Sequence, residues 1–319
     1  MKNHQFDWER LLNPSQEAYR LECLIKLRWN DKITCPHCKS SKKIYTGKDK
    51  RFRCSECDKR FTATSGTVLH STKLPLLKWF TALKEHSIHK TGMSSKLLAE
   101  SLGISIPTAF YLSRRLRMGM ANSKRFKGKL SGEVVEFDET YVGGKNWNRH
   151  ADKKVKNSQG RSAKDKSPVF GMLSRDEGKI FIWVMKRNKS GEEKNVSIGP
   201  GIRALIRSKV DRNSVIATDE YRAYNGLDRD FIHLRVNHCQ KNFVNGEAST
   251  NCLEGFWSRL KKALMGTYCG RVHHLNLIDY CREIAFKFVT RMLDKYERAE
   301  EILGDCLMGR YRKRGLYLL

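Results

Sequence analysis

The chain has 319 residues, 39% hydrophobic and 30% charged, enough for a sizeable core and for two or three domains. Lysine and arginine outnumber aspartate and glutamate 62 to 34, and this formal charge of +28 makes nucleic acid the leading partner class. No apolar run approaches the roughly 20 residues of a membrane span, and the opening MKNHQFDWERLLNPSQEAYR lacks an apolar signal region, so no membrane role and a reducing, cytoplasmic setting are expected.

Residues 1–30 read as a helical lead-in. Cys35-Pro36-His37-Cys38 and Cys54-Ser55-Glu56-Cys57 follow, two CxxC pairs with 15 residues between them. Each pair can bend around one cation, and the interval suits a hairpin that returns the chain to a tetrahedral four-thiolate site. Residues 31–66 are therefore expected to be a zinc ribbon, with one structural Zn2+ on Cys35, Cys38, Cys54 and Cys57. Two short strands would flank the turn at Gly47, with Tyr45, Phe52 and Phe61 as a small core. Two matched pairs argue against a redox dithiol. So small a core makes zinc affinity part of the folding free energy. Cys23, Cys239, Cys252, Cys269, Cys281 and Cys306 show no pairing logic and are expected as reduced thiols.

From Leu76 the apolar period becomes helical, and LLKWFTALKEHSI predicts a helix. After Thr91-Gly92, a capping serine and the apolar Leu97, Leu98 and Leu102 predict a second one. Gly103 then makes a tight turn, and Ser105-Ile106-Pro107 opens a third helix, about Pro107 to Met118. Residues 73–120 thus have the layout of a helix-turn-helix, whose last helix would present Thr108, Tyr111, Arg114, Arg115 and Arg117 to the major groove. An ordinary three-helix domain with a solvated arginine stripe fits the same pattern. Residues 121–132, ANSKRFKGKLSG, read as a basic linker and hinge.

Residues 133–292 alternate strands and helices. EVVEFDETYV is a strand. The polar stretch 145–166, with eight Lys/Arg against two Asp, reads as a basic surface insertion. Lys153, Lys154 and Lys156 there are candidate DNA contacts, or a merely solvated loop. SPVFGMLSR and KIFIWVMKR form a hairpin around Asp176-Glu177-Gly178. IGPGIRALIRSKV is a helix, SVIATD and FIHLRV are strands, and STNCLEGFWSRLKKALMG is a helix. This order predicts an α/β domain with a mixed sheet covered by helices. Residues 293–319 read as a helical, basic tail.

Asp138 and Asp219 each close an apolar strand, where sites of such sheets gather. Glu254 shares a helix face with Ser258 and Lys261, while Leu253, Phe256, Trp257 and Leu260 anchor the other side. Three carboxylates in one cavity repel unless cations join them, and hard oxygen ligands suit Mg2+ or Mn2+, expected as a pair. Asp138, Asp219 and Glu254 are thus the candidate catalytic acids and metal ligands. Asn251 is a second choice for the third position, and Lys261 is either an auxiliary phosphate contact or a solvated lysine. Glu139 should point to the opposite sheet face from Asp138. His238 either orients substrate or sits in a turn, His273 and His274 are candidate caps, and Trp257 is core or a wedge.

FDETYVGGK, ATDEYRAY, VNHCQKNFVNG and TNCLEGFWSRLKKALMGTY, behind the four-cysteine pattern, resemble a bacterial insertion-sequence DDE transposase of the insertion sequence 1595 group. The likeness covers about residues 20 to 290. It implies an RNase H-like catalytic domain with Asp138, Asp219 and Glu254 as the catalytic carboxylates, and the 34 residues between the last two agree with that class. Relatives vary at the third acid, which keeps Asn251 in play. The resemblance also implies double-stranded DNA as partner, both terminal inverted repeats and target. It implies cleavage leaving 3′-hydroxyls, strand transfer, and a homodimer or larger assembly on paired ends in a bacterial cytoplasm. An RNase H-like nuclease without joining, or an inactive zinc-ribbon regulator, are the rival readings.

Overall fold

The structure, a computed structural model, describes residues 5–30, 32–143, 150–156, 166–184, 198–219, 224–236, 251–270 and 272–309. The chain forms two compact units, one of residues 1–124 with 290–319 and the other of residues 125–289.

The first unit opens with helices α1 (Trp8–Leu12) and α2 (Glu17–Trp29). Three short antiparallel strands follow, β1 (Ile44–Thr46), β2 (Phe52–Cys54) and β3 (Arg60–Phe61). Their core differs from the expected one. Tyr45 is half exposed, and Trp29 of α2 takes its place, packing edge-on against Phe52 and Phe61 at 5.4 and 6.0 Å. A three-residue strand offers too little inward surface for a closed core, so the preceding helix supplies the missing aromatic. Arg28 ties the helix down further, donating to the carbonyls of Ala63 at 2.6 Å and Ser65 at 2.7 Å.

The predicted three-helix run follows as α3 (Leu76–Ile88), α4 (Ser95–Leu102) and α5 (Ile106–Ala121). Ser94 caps α4 by accepting from the Leu97 N–H at 3.2 Å. Gly103 ends that helix at φ +59°, a left-handed conformation costly to other residues. Ser105 caps α5, and Pro107 sits in its first turn. Leu98 and Leu102 are buried as expected, whereas Leu97 is 44% exposed, because at 3.6 residues per turn it points away from the face that Leu98 and Leu102 share.

The second unit is built on a five-stranded mixed sheet. Its strands are β4 (Val134–Val142), β5 (Ser167–Ser174), β6 (Ile180–Val184), β7 (Val215–Asp219) and β8 (Ile232–Val236), in the order β6-β5-β4-β7-β8. The first three pair antiparallel, while β7 and β8 run parallel to β4. Helix α6 (Ile198–Lys209) is the crossover from β6 to β7 that a parallel return requires. Alternation along β4 and β5 splits the core into two layers. Val135, Phe137, Phe170, Met172 and Ile216 meet Ile202 and Ile206 of α6 on one face. Val169 and Leu173 meet helices α7 (Asn251–Lys262) and α8 (Leu277–Val289) on the other. This is the expected α/β, RNase H-like architecture. The second half of the basic linker belongs to it: Leu130 bridges to Val210 and donates to the Lys209 carbonyl at 2.7 Å.

Helix α9 (Lys295–Met308) belongs to the first unit, and residues 310–319 of the expected tail lie outside the described residues. Ile302, Leu303 and Cys306 are buried. Gly119 of α5 admits the crossing, since a Cβ there would collide with Cys306 Sγ. Arg298 donates to the Ser87 carbonyl at 2.6 Å and the Thr290 carbonyl at 2.8 Å. Among the described residues no helix is long and apolar enough to cross a membrane. Gly119→Ala is expected to destabilise the first unit by about 1–3 kcal/mol through overpacking, read as a lower denaturation midpoint with the fold otherwise retained.

Candidate active site and metal centres

The four cysteines of the ribbon converge. Their sulfurs all lie within 4.8 Å of one another, with Cys35 to Cys57 at 3.7 Å and Cys38 to Cys54 at 3.6 Å. A zinc–sulfur bond of about 2.3 Å places tetrahedral sulfurs about 3.8 Å apart, so the residues fit the ion. Burial pushes the Cys35 thiol up, but the backbone N–H groups of Cys38 and His37 and the neighbouring thiols outweigh it and bring it to about 7. A thiol poised near neutrality loses its proton readily to a metal. The ribbon is a structural zinc site. Of the remaining cysteines described, Cys23, Cys281 and Cys306 are buried and Cys252 and Cys269 exposed, all as free thiols. Cys239 lies outside the described residues.

In the second unit, the register of β4 with β7 brings two acids level. Val134 pairs with Val215 and Glu136 with Ala217, and Asp138 and Asp219 stand two residues beyond that last pair. Parallel neighbours lie about 4.8 Å apart, and equal parity puts both carboxylates on the face covered by α7. Glu254 lies on the first turn of α7, exposed. Burial pushes the Asp138 carboxyl up to about 6, and the charges of Asp219 and Glu254 push it the same way. Hydrogen bonds from the Glu139 backbone and the Trp257 indole oppose the rise. Asp219 and Glu254 are thus both within electrostatic reach of Asp138. Among the described residues the three acids do not form a cluster as tight as that of the cysteines. An all-oxygen donor set suits Mg2+ or Mn2+.

Two contacts hold α7 over this face. Glu136, fully buried in the middle of β4, accepts from the Leu253 N–H at 2.9 Å and from Arg175 Nε at 2.6 Å. The first four N–H groups of a helix lack internal partners and carry its positive end, so a buried carboxylate is a strong anchor for them. One turn along, Trp257 Nε1 donates to Asp138 Oδ2 at 2.9 Å. Its ring lies directly on Gly171, the cross-strand partner of Asp138; a Cβ at 171 would stand 2.7 Å from the indole. Glu136, Arg175 and Gly171 were not among the sequence candidates. A carboxylate two residues before Asp138, inside an otherwise apolar strand, is the signal that could have found Glu136.

Other expected residues fall as follows. Glu139 faces away from Asp138 as predicted, accepting from the buried Tyr224 hydroxyl at 2.7 Å. Asn251 begins α7 and is exposed, as is Lys261. His273 caps the turn before α8, its Nδ1 accepting from the Leu275 N–H at 3.3 Å. His238 lies outside the described residues, as do much of the 145–166 insertion and the side chain of Lys153; Lys154 and Lys156 are exposed. On α5, Tyr111 is exposed while Thr108 and Arg114 are half-buried. Arg115 and Arg117 do not fit the expected DNA-facing set: both are 2% exposed. Arg115 donates to the His70 carbonyl at 2.7 Å, its guanidinium near the Tyr111 and Trp79 rings. The reason is α9, which packs along the C-terminal half of α5 and leaves it no solvent face.

The family model described as ISXO2-like transposase domain matches residues 129–288, and that of the transposase zinc-ribbon domain matches residues 15–60. A protein of transposable element ISH50 from Halobacterium salinarum is 27% identical over 252 residues, 76% of this chain and 81% of that protein. A transposase-like protein of Haemophilus influenzae is 32% identical over 85 residues, 26% of this chain and 67% of the relative. Among solved structures, the simian T-cell lymphotropic virus intasome with PP2A regulatory subunit B56 gamma matches over 62% of this chain and 66% of that one. Its identity is 16% and its TM-score 0.27, too low to bear on function.

Removing the Glu136 carboxylate strands Arg175 and the α7 terminus, so Glu136→Ala should cost about 3–5 kcal/mol in urea denaturation. Glu136→Gln, which keeps an acceptor, should cost less. Cys54→Ser should abolish bound zinc, measured as metal per chain, and make the ribbon protease-sensitive.

Proposed function

The chain belongs to the ISXO2-like transposase family, and we propose on that footing that it cuts and joins DNA at Asp138, Asp219 and Glu254. What supports the reading is that Asp138 and Asp219 share the sheet face that α7, the helix of Glu254, covers. Asp138 lies in the middle of β4 rather than at the strand end expected from the sequence, and stands level with Asp219, which closes the neighbouring parallel β7; Glu254 rides on a helix anchored to β4. Asn251 is the alternative for the third position, and it too stands on the first turn of α7.

Bound among these carboxylates, Mg2+ or Mn2+, as a pair, supplies Lewis acidity at the attacking and leaving oxygens of a phosphodiester. Asp138 and Asp219 present hard oxygens from a rigid sheet. Glu254 adds a third from solvent-facing α7, where DNA can reach it. In cleavage, a water oxygen bonds to phosphorus, the bond to the 3′ oxygen breaks, and a proton ends on that oxygen as a 3′-hydroxyl. In joining, that hydroxyl attacks a target phosphodiester, and the displaced strand leaves with its own 3′-hydroxyl. No net oxidation occurs, and no protein nucleophile is needed. The charge of +28 suits neutralisation of phosphates on two DNA segments. The ribbon and the exposed end of α5 are the proposed readers of the terminal inverted repeats, with Thr108, Tyr111 and Arg114 as its contacts. Lys154, Lys156 and Lys261 are proposed phosphate contacts, and paired ends would be held by a homodimer or larger assembly.

The test is strand transfer of a pre-cleaved inverted-repeat end in Mg2+ or Mn2+. Asp138→Asn and Asp219→Asn should each lower cleavage and joining by at least about a thousandfold while end binding in a gel-shift assay persists. Cleavage without joining would point to a nuclease. Metal-independent binding alone would point to a regulator.

A further inference from the structure

Trp257 is buried, so its indole N–H needs an acceptor, and the one it reaches is a carboxylate of the proposed catalytic set. The strand leaves a glycine under the ring, and nothing larger would let the indole reach Asp138. The residue is 4% exposed, tilted against Phe256 at 5.2 Å, and fixed one turn beyond the Leu253 N–H that Glu136 holds. Its position is therefore determined from three sides: packing, the helix anchor, and the missing Cβ at 171.

We propose that Trp257 is a positioning residue that orients the Asp138 carboxylate for the divalent cation and raises its affinity for it. The inference rests on the reading of Asp138 as a metal ligand. An ionised carboxylate has about four lone-pair directions. The indole occupies one on Oδ2 and the Glu139 backbone N–H another on the carboxyl, which leaves the others for a cation and stops the group from rotating. A ligand held in one orientation loses less freedom when the ion arrives, and removing such a support typically lowers metal affinity about 10–100-fold. The same bond couples the two halves of the site. Glu254 and Trp257 are three residues apart on α7, so the contact that orients the first acid also sets the height of the third above it.

The experiment is Mn2+ binding to the full chain, followed by electron paramagnetic resonance without DNA, with wild type, Trp257→Phe and Asp138→Asn. Phenylalanine keeps the ring and removes the donor. The expected result is Mn2+ binding about 10–100-fold weaker in folded Trp257→Phe than in wild type, with little or none in Asp138→Asn. Equal affinity in wild type and folded Trp257→Phe overturns the proposal while leaving the three-acid reading intact. Mn2+ binding unaffected by Asp138→Asn, or absent from wild type, overturns both. If Trp257→Phe does not fold, the wild type decides through its six indole N–H signals in a nitrogen-15 spectrum. One of them should shift on Mg2+ addition and fail to shift in Asp138→Asn. Six unmoved signals overturn the proposal.

Discussion

A single buried carboxylate organises the second unit. Glu136 accepts the Leu253 N–H and pairs with Arg175, and it does so in the middle of the central strand. Burying a charge is costly unless it is paired and hydrogen-bonded on every side. Here the requirement is met only when the start of α7 lies over β4, so the electrostatics specify the docking of the helix more sharply than apolar packing alone. Leu253, Phe256 and Leu260 supply apolar contact with Val169 and Leu173, which is non-directional. A hydrogen bond to one N–H cannot slide. Glu136 thus fixes the height of the helix that carries Glu254.

The same face shows how a buried acid is held beside two others. Asp138 bears the burden, its carboxyl raised to about 6 by burial and by two acidic neighbours. The Trp257 indole and the Glu139 backbone resist that rise, and Gly171 makes room for the first of them. On the other face of the sheet, Glu139 is engaged by Tyr224 and Phe137 packs near the same ring. Adjacent acids in one strand therefore have separate duties, divided by the two-residue pleat.

The first unit shares its small modules. The ribbon fills its interior with Trp29 from the preceding helix, and the family match to residues 15–60 includes that helix. Residues far apart in the chain complete the three-helix region, where α9 covers α5 and its Arg298 donates to the Ser87 carbonyl of α3. That cover converts Arg115 from a candidate DNA contact into a structural cation stacked near Tyr111 and Trp79. The exposed part of α5 is instead its first half, with Ile106, Phe110 and Tyr111 on the surface.

Much of this was legible in the linear chain because the signals are local. CxxC spacing is a statement about what one ion can reach, and Ser-Ile-Pro before an apolar period is a helix start whatever surrounds it. Asp138 and Asp219 could be picked out because each interrupts or ends an apolar run, although Asp138 proves to lie in mid-strand and only Asp219 at a strand end. Tertiary structure alone decided which arginines of α5 meet solvent, because the covering helix lies almost two hundred residues downstream. It decided that Tyr45 yields to Trp29 in the ribbon. It also decided that Glu136, Gly171 and Trp257 serve Asp138. Periodicity reports which face of an element is apolar, whereas the partner that covers this face, and the one atom a buried donor or acceptor reaches, depend on contacts between segments distant in the chain.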